Sequence, residues 1–527
     1  MLRISNLKCS INENVDIVDL CSKKLNINKK EIVHFNIFKK SLDARKKENI
    51  QYVYVVDIII KNEKKILAKK LKDVSSTPDF SYKFSKCNKK NLKNPVIVGF
   101  GPAGMFSALL LAQMGFCPIV FERGEDVDSR TKSVYKFWNY GILNEESNVQ
   151  FGEGGAGTFS DGKLTSRTKD LRCRKVLEEF VNFGANSEIL YEQKPHIGTD
   201  ILKVVVKNIR NEIIKLGGII NFRKKVIDFI IEDNAIKGLF LEDGTIYECN
   251  DVILAIGHSA RDTFEILNKN NIKIEQKPFA IGVRIEHKQE MINVSQYGRY
   301  HNILPAADYK LTYTTKNGRG VYTFCMCPGG SVVASSSEYN TVVTNGMSEY
   351  ARDGQNANSA LLVQVYKEDF NSNNVFAGMY MQREIEQKAF LYGGKNYFAP
   401  VQTIGAFLNN RVDTFLGDIK NSYKPGVNFV NLRDILPNFI TESLLEAIPE
   451  MGKKLIGFDR CDSLITGVET RSSSPIRILR DSKTYESISV KGLYPVGEGA
   501  GYAGGIISSA IDGIIVAEKI FDKYNFE

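Results

Sequence analysis

The chain has 527 residues, 43% hydrophobic and 25% charged, ordinary values for a globular protein with room for two or three buried cores. Its formal charge of +9 is uneven: residues 1–93 hold 22 Lys and Arg against 10 Asp and Glu, leaving −3 on the remainder. No apolar run reaches 18 residues, which argues against a membrane span, and nine scattered Cys without zinc-type spacing suit reduced thiols better than a disulfide framework.

The opening residues Met1–Lys8 lack the continuous apolar core of a secretory signal, so a cytoplasmic location is expected. Residues 1–93 read as a basic α+β domain and linker. Leu2 to Lys8 alternates like a strand, Val15 to Leu25 has helical spacing, and Ile32 to Phe38 and Tyr52 to Ile60 resemble further strands. Ser75 to Lys93 is polar and reads as the linker. Such a basic module is either a surface for RNA or another acidic partner, or a by-product of the Lys-, Asn- and Ile-rich composition of the whole chain.

The apolar run Pro95–Val98 leads directly into Gly99-Phe100-Gly101-Pro102-Ala103-Gly104, and a helix-like stretch, Met105 to Ala112, follows. Strand, glycines and helix in this order describe a dinucleotide-binding turn. The first Gly makes the turn, the second lets the backbone approach a pyrophosphate, and the third lets helix and strand pack closely. A second strand, Pro118–Phe121, ends in Glu122 and Arg123. Glu122 stands 23 positions after Gly99, where a carboxylate is expected to accept the ribose hydroxyls. Strands and helices then alternate to about Ile274, including the glycine-closed strand Asp251–Gly257 with Ala255 near its end. From about Pro278 the chain turns to aromatic, Thr-rich strands, and near Glu469 it turns back toward a final helix, Ile506 to Tyr524.

The returning segment Gly492–Gly505 resembles the C-terminal FAD motif of the glutathione-reductase-like flavoproteins. The resemblance assigns Gly497 and Glu498 to the ribityl and pyrophosphate region, and Ala503, Gly504, Gly505 and Ile506 to the flavin edge. The span from 94 to 527 also resembles a family of uncharacterised bacterial FAD-dependent dehydrogenases. The stretches that carry this likeness are Gly154–Leu164, Lys194–Asp200, Gly257–Asp262, Phe324–Gly330 and Glu469–Pro475. The resemblance implies an α/β fold: a Rossmann-like FAD-binding domain of glutathione-reductase type (94–275 and 469–527) interrupted by a mixed α+β substrate domain (276–468), with residues 1–93 as a small N-terminal α+β domain. It implies the cofactor, and leaves the substrate open.

Several residues are candidates for the chemistry. The glycine-dense segment Gly152–Leu164, with Gly155 and Gly157, suits an anion-holding nest or a wall against the flavin. Arg130 serves either the pyrophosphate or a solvated helix face. Cys325 and Cys327 would share one side of a strand, which suits either an electron-accepting pair or a small apolar pocket. His258 stands at the edge where ligands of open α/β sheets collect, as a proton carrier or a cofactor-edge residue. Arg284 would bind a substrate anion, or pair with Glu286. The five His are far apart and no metal site is expected. The resulting expectation is an FAD-dependent oxidoreductase acting on a small molecule, with NAD(P)H as a candidate transient donor. The alternatives are a flavoenzyme that modifies RNA held by residues 1–93, and a non-enzymatic flavin redox sensor.

Overall fold

Val96–Val98, Ile119–Phe121 and Val252–Leu254 are short, wholly apolar runs, the pattern of strands buried on both faces. In the computed structural model, which describes residues 1–12, 15–87, 94–166, 168 and 170–526, they are the centre of a five-stranded parallel sheet. Its order is Leu493–Pro495, Val252–Leu254, Val96–Val98, Ile119–Phe121, Ile219–Asn221. Ile97, Val120, Ile253 and Tyr494 face one side, where the helices Pro102–Gln113, Thr199–Lys215 and Ile506–Phe526 cover them. Val96, Val98, Ile119, Phe121, Val252 and Leu254 face the other, beneath an antiparallel meander of Val226–Glu232, Ala235–Leu241 and Ile246–Glu248.

The strand Leu493–Pro495 reaches this sheet only after the chain has built a second one. That sheet has seven strands, in the order Thr312–Thr314, Gly320–Cys327, Asn356–Val365, Phe279–Lys288, Leu464–Glu469, Ala399–Thr403, Val427–Phe429. All its pairings are antiparallel except the last. The largest apolar cluster of the chain lies on it, filled by the helices Ala377–Tyr392 and Asn438–Lys454.

The N-terminal residues form a four-stranded antiparallel sheet, ordered Ile32–Asp43, Gln51–Ile60, Leu2–Ser10, Val74–Ser76. A helix, Ile17–Leu25, packs on it, begun by Asp16 accepting from the Val18 amide at 2.9 Å. The unit docks through Lys40, whose amide donates to the Tyr191 carbonyl and whose ammonium pairs with Glu192 at 2.8 Å. The expected linker begins later than its composition suggests, because Val74–Ser76 pairs with residues 2–4. It also lies against the second unit, with Tyr82 donating to Glu518 at 2.6 Å and the Cys87 amide to the Met114 carbonyl. Its last part, 88–93, falls outside the described residues. Among the described residues no helix is long and apolar enough to cross a membrane.

Candidate functional site

Two helices aim their N-termini at one cleft. Gly99, with φ +96°, turns the chain out of its strand, and a Cβ there would lie 2.5 Å from the Ala255 carbonyl oxygen. Gly104 sits one helical turn later, where a Cβ would be 2.1 Å from the Gly99 oxygen. Between them Gly101 precedes the helix Pro102–Gln113, which no side chain caps, so its first amides are left to the cleft. The final helix Ile506–Phe526 crosses this one at Gly513, whose Cβ would be 2.1 Å from the Ala103 oxygen. Ser107 fastens the crossing by donating to the Gly513 carbonyl at 2.9 Å. Asp512 accepts from the Gly497 amide at 2.7 Å and pairs with Arg480, which fixes the turn before the final helix. At the mouth of that turn Gly504 and Gly505 have nothing within 4 Å of where a Cβ would stand.

The glycine-dense loop closes the cleft from the side. Gly155, at φ +61°, packs on Gly101, and Gly157 packs on Ile506 and Pro102. Arg130 shapes this loop from beneath. It is wholly buried and donates to the carbonyls of Asn148, Val149, Gly152 and Glu153 at 2.6–3.3 Å. Burial pushes its pKa down to about 10. Arg130 therefore does not reach the cleft, correcting the expectation that it serves a pyrophosphate. Glu122 does line the cleft, but it accepts from the amides of Phe100, Gly124 and Gly152 at 2.7, 2.8 and 3.0 Å. A carboxylate has about four lone-pair positions, so one is left for a ribose hydroxyl. Arg123 also lines the wall, clamped between Glu146 and Asp262 above the Phe151 ring.

At the other end the cleft reaches the seven-stranded sheet. A bulge separates Phe324, opposite Ala360, from Cys327, opposite Asn358. Cys325 at the bulge takes φ +43°, so the two thiols do not share one regular strand face as their spacing suggests. Cys325 opens into the cleft interior while Cys327 is buried, and its Sγ donates to the Cys325 carbonyl at 3.2 Å. Both cysteines are free. Although the Cys325 side chain is open to the cleft, the surrounding protein desolvates it and pushes its thiol up to about 12; the same cause raises Cys327 to about 11.

Arg284 is wholly buried behind this bulge, held by Glu469 at 2.9 and 3.0 Å and by Asn358 at 2.8 Å. It does not line the cleft, and its partner is not Glu286, which accepts from Asn356, Asn421 and Ser422. Their alternation on one strand places the two side by side, while the neighbouring strands supply each with a different partner. Asp161 pairs with Arg352 and accepts from Ser348; burial opposes its charge, but Arg352 and Lys163 outweigh this and hold its carboxyl below the usual range. His258 lies between the two ends, its Nδ1 3.2 Å from Glu498 and its buried Nε2 without a hydrogen-bond partner among the described residues.

The cleft thus gathers the Gly99 turn, Glu122, the 155–157 loop, Ala255, Gly257, His258, both cysteines, Gly497, Glu498 and the 504–506 turn on one wall system. Ala503 stands just off that wall. Gln150 with Ser259 (3.1 Å apart), Lys225, Asn345 and Arg471 also line it. Nothing in their spacing marks them, since each comes from a loop or strand end placed by tertiary packing alone.

Residues 278–472 match the family model described as "FAD-dependent protein, C-terminal domain-like", and residues 1–59 match a "Domain of unknown function (DUF8436)". Over 531 residues the chain is 51% identical to an uncharacterized protein of Clostridium beijerinckii, covering 99% of both chains. The chain belongs to the family of that protein. Among solved structures it is similar to glycine oxidase from Geobacillus kaustophilus, at 10% identity and TM-score 0.38, covering 82% of this chain and 95% of that one. A glycine oxidase from Bacillus cereus is similar at 12% identity and TM-score 0.31, covering 82% and 96%. These two likenesses are too distant to carry function.

Proposed function

We propose that the chain is an FAD-dependent oxidoreductase of the glutathione-reductase-like class. The observation that carries this reading is the convergence of two helix N-termini on one glycine-walled cleft, with open space at Gly504 and Gly505 and with His258 and Glu498 on its wall. The amides of Gly101, Ala103 and Gly104 would hold the pyrophosphate, and the remaining lone pair of Glu122 the adenosine ribose. Glu498 would take the ribityl chain, and Gly504 to Ile506 the edge of the flavin ring. His258, its Nδ1 3.2 Å from Glu498, stands on the same wall. The family model's description of residues 278–472 supports the same cofactor.

When bound, FAD supplies hydride transfer through its flavin N5; the protein supplies orientation and charge. The cleft end at Cys325, Lys163 and Asn345 is where a small organic substrate meets that chemistry, and NADH or NADPH would dock there transiently. The raised thiols of Cys325 and Cys327 favour a substrate-facing wall over an electron-accepting pair. The test is the absorption spectrum of the FAD-loaded protein during anaerobic addition of NADH, then NADPH. Bleaching of the flavin band by one nucleotide supports the reductase form. A bound flavin indifferent to both overturns that form and leaves a dehydrogenase reduced by its own substrate.

A further inference from the structure

Among the described residues five Lys and Arg side chains line the cleft, and four of them are already matched to carboxylates. Arg123 pairs with Glu146 and Asp262, as does Lys225; Lys224 pairs with Asp243, and Arg471 with Glu386. Among the described residues Lys163 has no carboxylate within ion-pairing distance, and its ammonium donates to a single acceptor, the Met326 carbonyl. Three N–H donors serve an ammonium, so two remain for the cleft.

The backbone around Lys163 is fixed on both sides. Lys163 bridges to His196, the Leu164 amide donates to the Pro195 carbonyl at 2.9 Å, and the Ile197 amide donates to the Gly162 carbonyl at 3.1 Å. A second donor stands near the same bulge. Asn345 receives the Gly346 amide at 2.8 Å and Arg284 Nη2 at 3.5 Å on its Oδ1, which among the described residues leaves its NH2 group as the free end. The same Arg284 reaches the Cys325 carbonyl at 3.2 Å, and Lys163 donates to the next carbonyl along the bulge, that of Met326. Neither neighbouring thiol neutralises the ammonium, since both stay protonated at neutral pH.

We infer that Lys163 and Asn345 form the substrate's anchoring subsite and that the substrate is an organic carboxylate. Asp161, whose carboxyl Lys163 helps hold ionised, is already paired with Arg352, so the three groups carry one net positive charge; that charge matches one negative charge, and a phosphate dianion would bury a second charge without a partner. This inference rests on the oxidoreductase reading, which makes this end of the cleft the reacting end.

The test is calorimetric titration of the full-length, FAD-loaded protein with three probes: benzoate, its neutral analogue benzamide, and inorganic phosphate. The flavin absorption is followed in parallel. Lys163→Gln keeps a donor for the Met326 carbonyl and removes the charge; Lys163→Arg keeps the charge. Benzoate is expected to bind wild type at least tenfold more tightly than K163Q, with K163R between them, and to bind more tightly than benzamide or phosphate. Equal binding of benzoate and benzamide to wild type, or an affinity for benzoate unchanged in K163Q, overturns the subsite. Tighter binding of phosphate than benzoate overturns the carboxylate. Should K163Q fail to fold, the benzoate-to-benzamide contrast in wild type decides. A protein that takes up no FAD yet binds benzoate through Lys163 contradicts the oxidoreductase reading and not the anion subsite.

Discussion

Gly504 and Gly104 are both glycines beside the cleft, and replacing each should fail in opposite ways. At Gly104 a methyl group would sit 2.1 Å from the Gly99 oxygen and 3.1 Å from Ile97 Cγ2, so Gly104→Ala must pry the helix from its strand and destabilise the fold itself. At Gly504 nothing lies within 4 Å, the backbone is not in the left-handed region, and the residue is exposed. Gly504→Leu should therefore change the stability of the flavin-free protein by no more than about 0.5 kcal/mol, the range of an open surface substitution. If the flavin edge lies there, the same leucine crowds it as an overpacked core does, by about 1–3 kcal/mol. FAD affinity then falls roughly 5- to 150-fold at 1.4 kcal/mol per decade. Quenching of flavin fluorescence during titration gives the affinity, and thermal melting of the flavin-free protein gives the stability. A Gly504→Leu protein that binds FAD as tightly as wild type would refute the placement of the flavin.

Three further outcomes follow from the same geometry. Arg130→Met removes the guanidinium from four buried carbonyls, of which Gly152 keeps the Gly155 amide and Glu153 the Thr158 hydroxyl; with about 1–3 kcal/mol for each of the two left orphaned, at Asn148 and Val149, partly relieved by water, denaturant unfolding should show a loss of about 2 kcal/mol or more. His287 is fully buried, its Nε2 donates to the Phe458 carbonyl at 2.8 Å, and burial lowers its pKa to about 4. The unfolded chain takes up that proton near pH 6.5 and the folded chain does not, so stability complete above 6.5 is lost as pH falls toward 4. The loss is about 3 kcal/mol at 1.36 kcal/mol per pH unit, and urea unfolding between pH 4 and 7 should show this slope in wild type and not in His287→Gln. Cys325, open to the cleft but with its thiol near 12, should react with iodoacetamide more slowly than the exposed Cys117 and Cys461, as read by mass spectrometry at pH 7.5.

The glycine turn was legible because two of its constraints are local: Gly99 must turn, and Gly104, five residues on, must touch Gly99. The parallel strands were legible as unbroken apolar runs whose successive residues feed two different cores. Arg130 was not, because its four carbonyls lie 18 to 23 residues downstream and only the folded loop brings them together. The cysteine pair misled because one extra residue at the bulge breaks the alternation that their spacing implies. Arg284 and Glu286 misled for a related reason: strand geometry puts them on one side, and only the neighbouring strands decide their partners. Lys163 was visible as a polar residue at the end of a glycine loop, but its lack of a counter-charge is a property of the whole cleft.

The most direct test of the central claim is the flavin content of the purified protein, after reconstitution with FAD and removal of excess. Denaturation followed by chromatographic identification of the released flavin should give one FAD per chain, held by wild type and largely lost from Gly504→Leu. A well-folded wild-type chain that retains no flavin, or that selects FMN over FAD, would contradict the account.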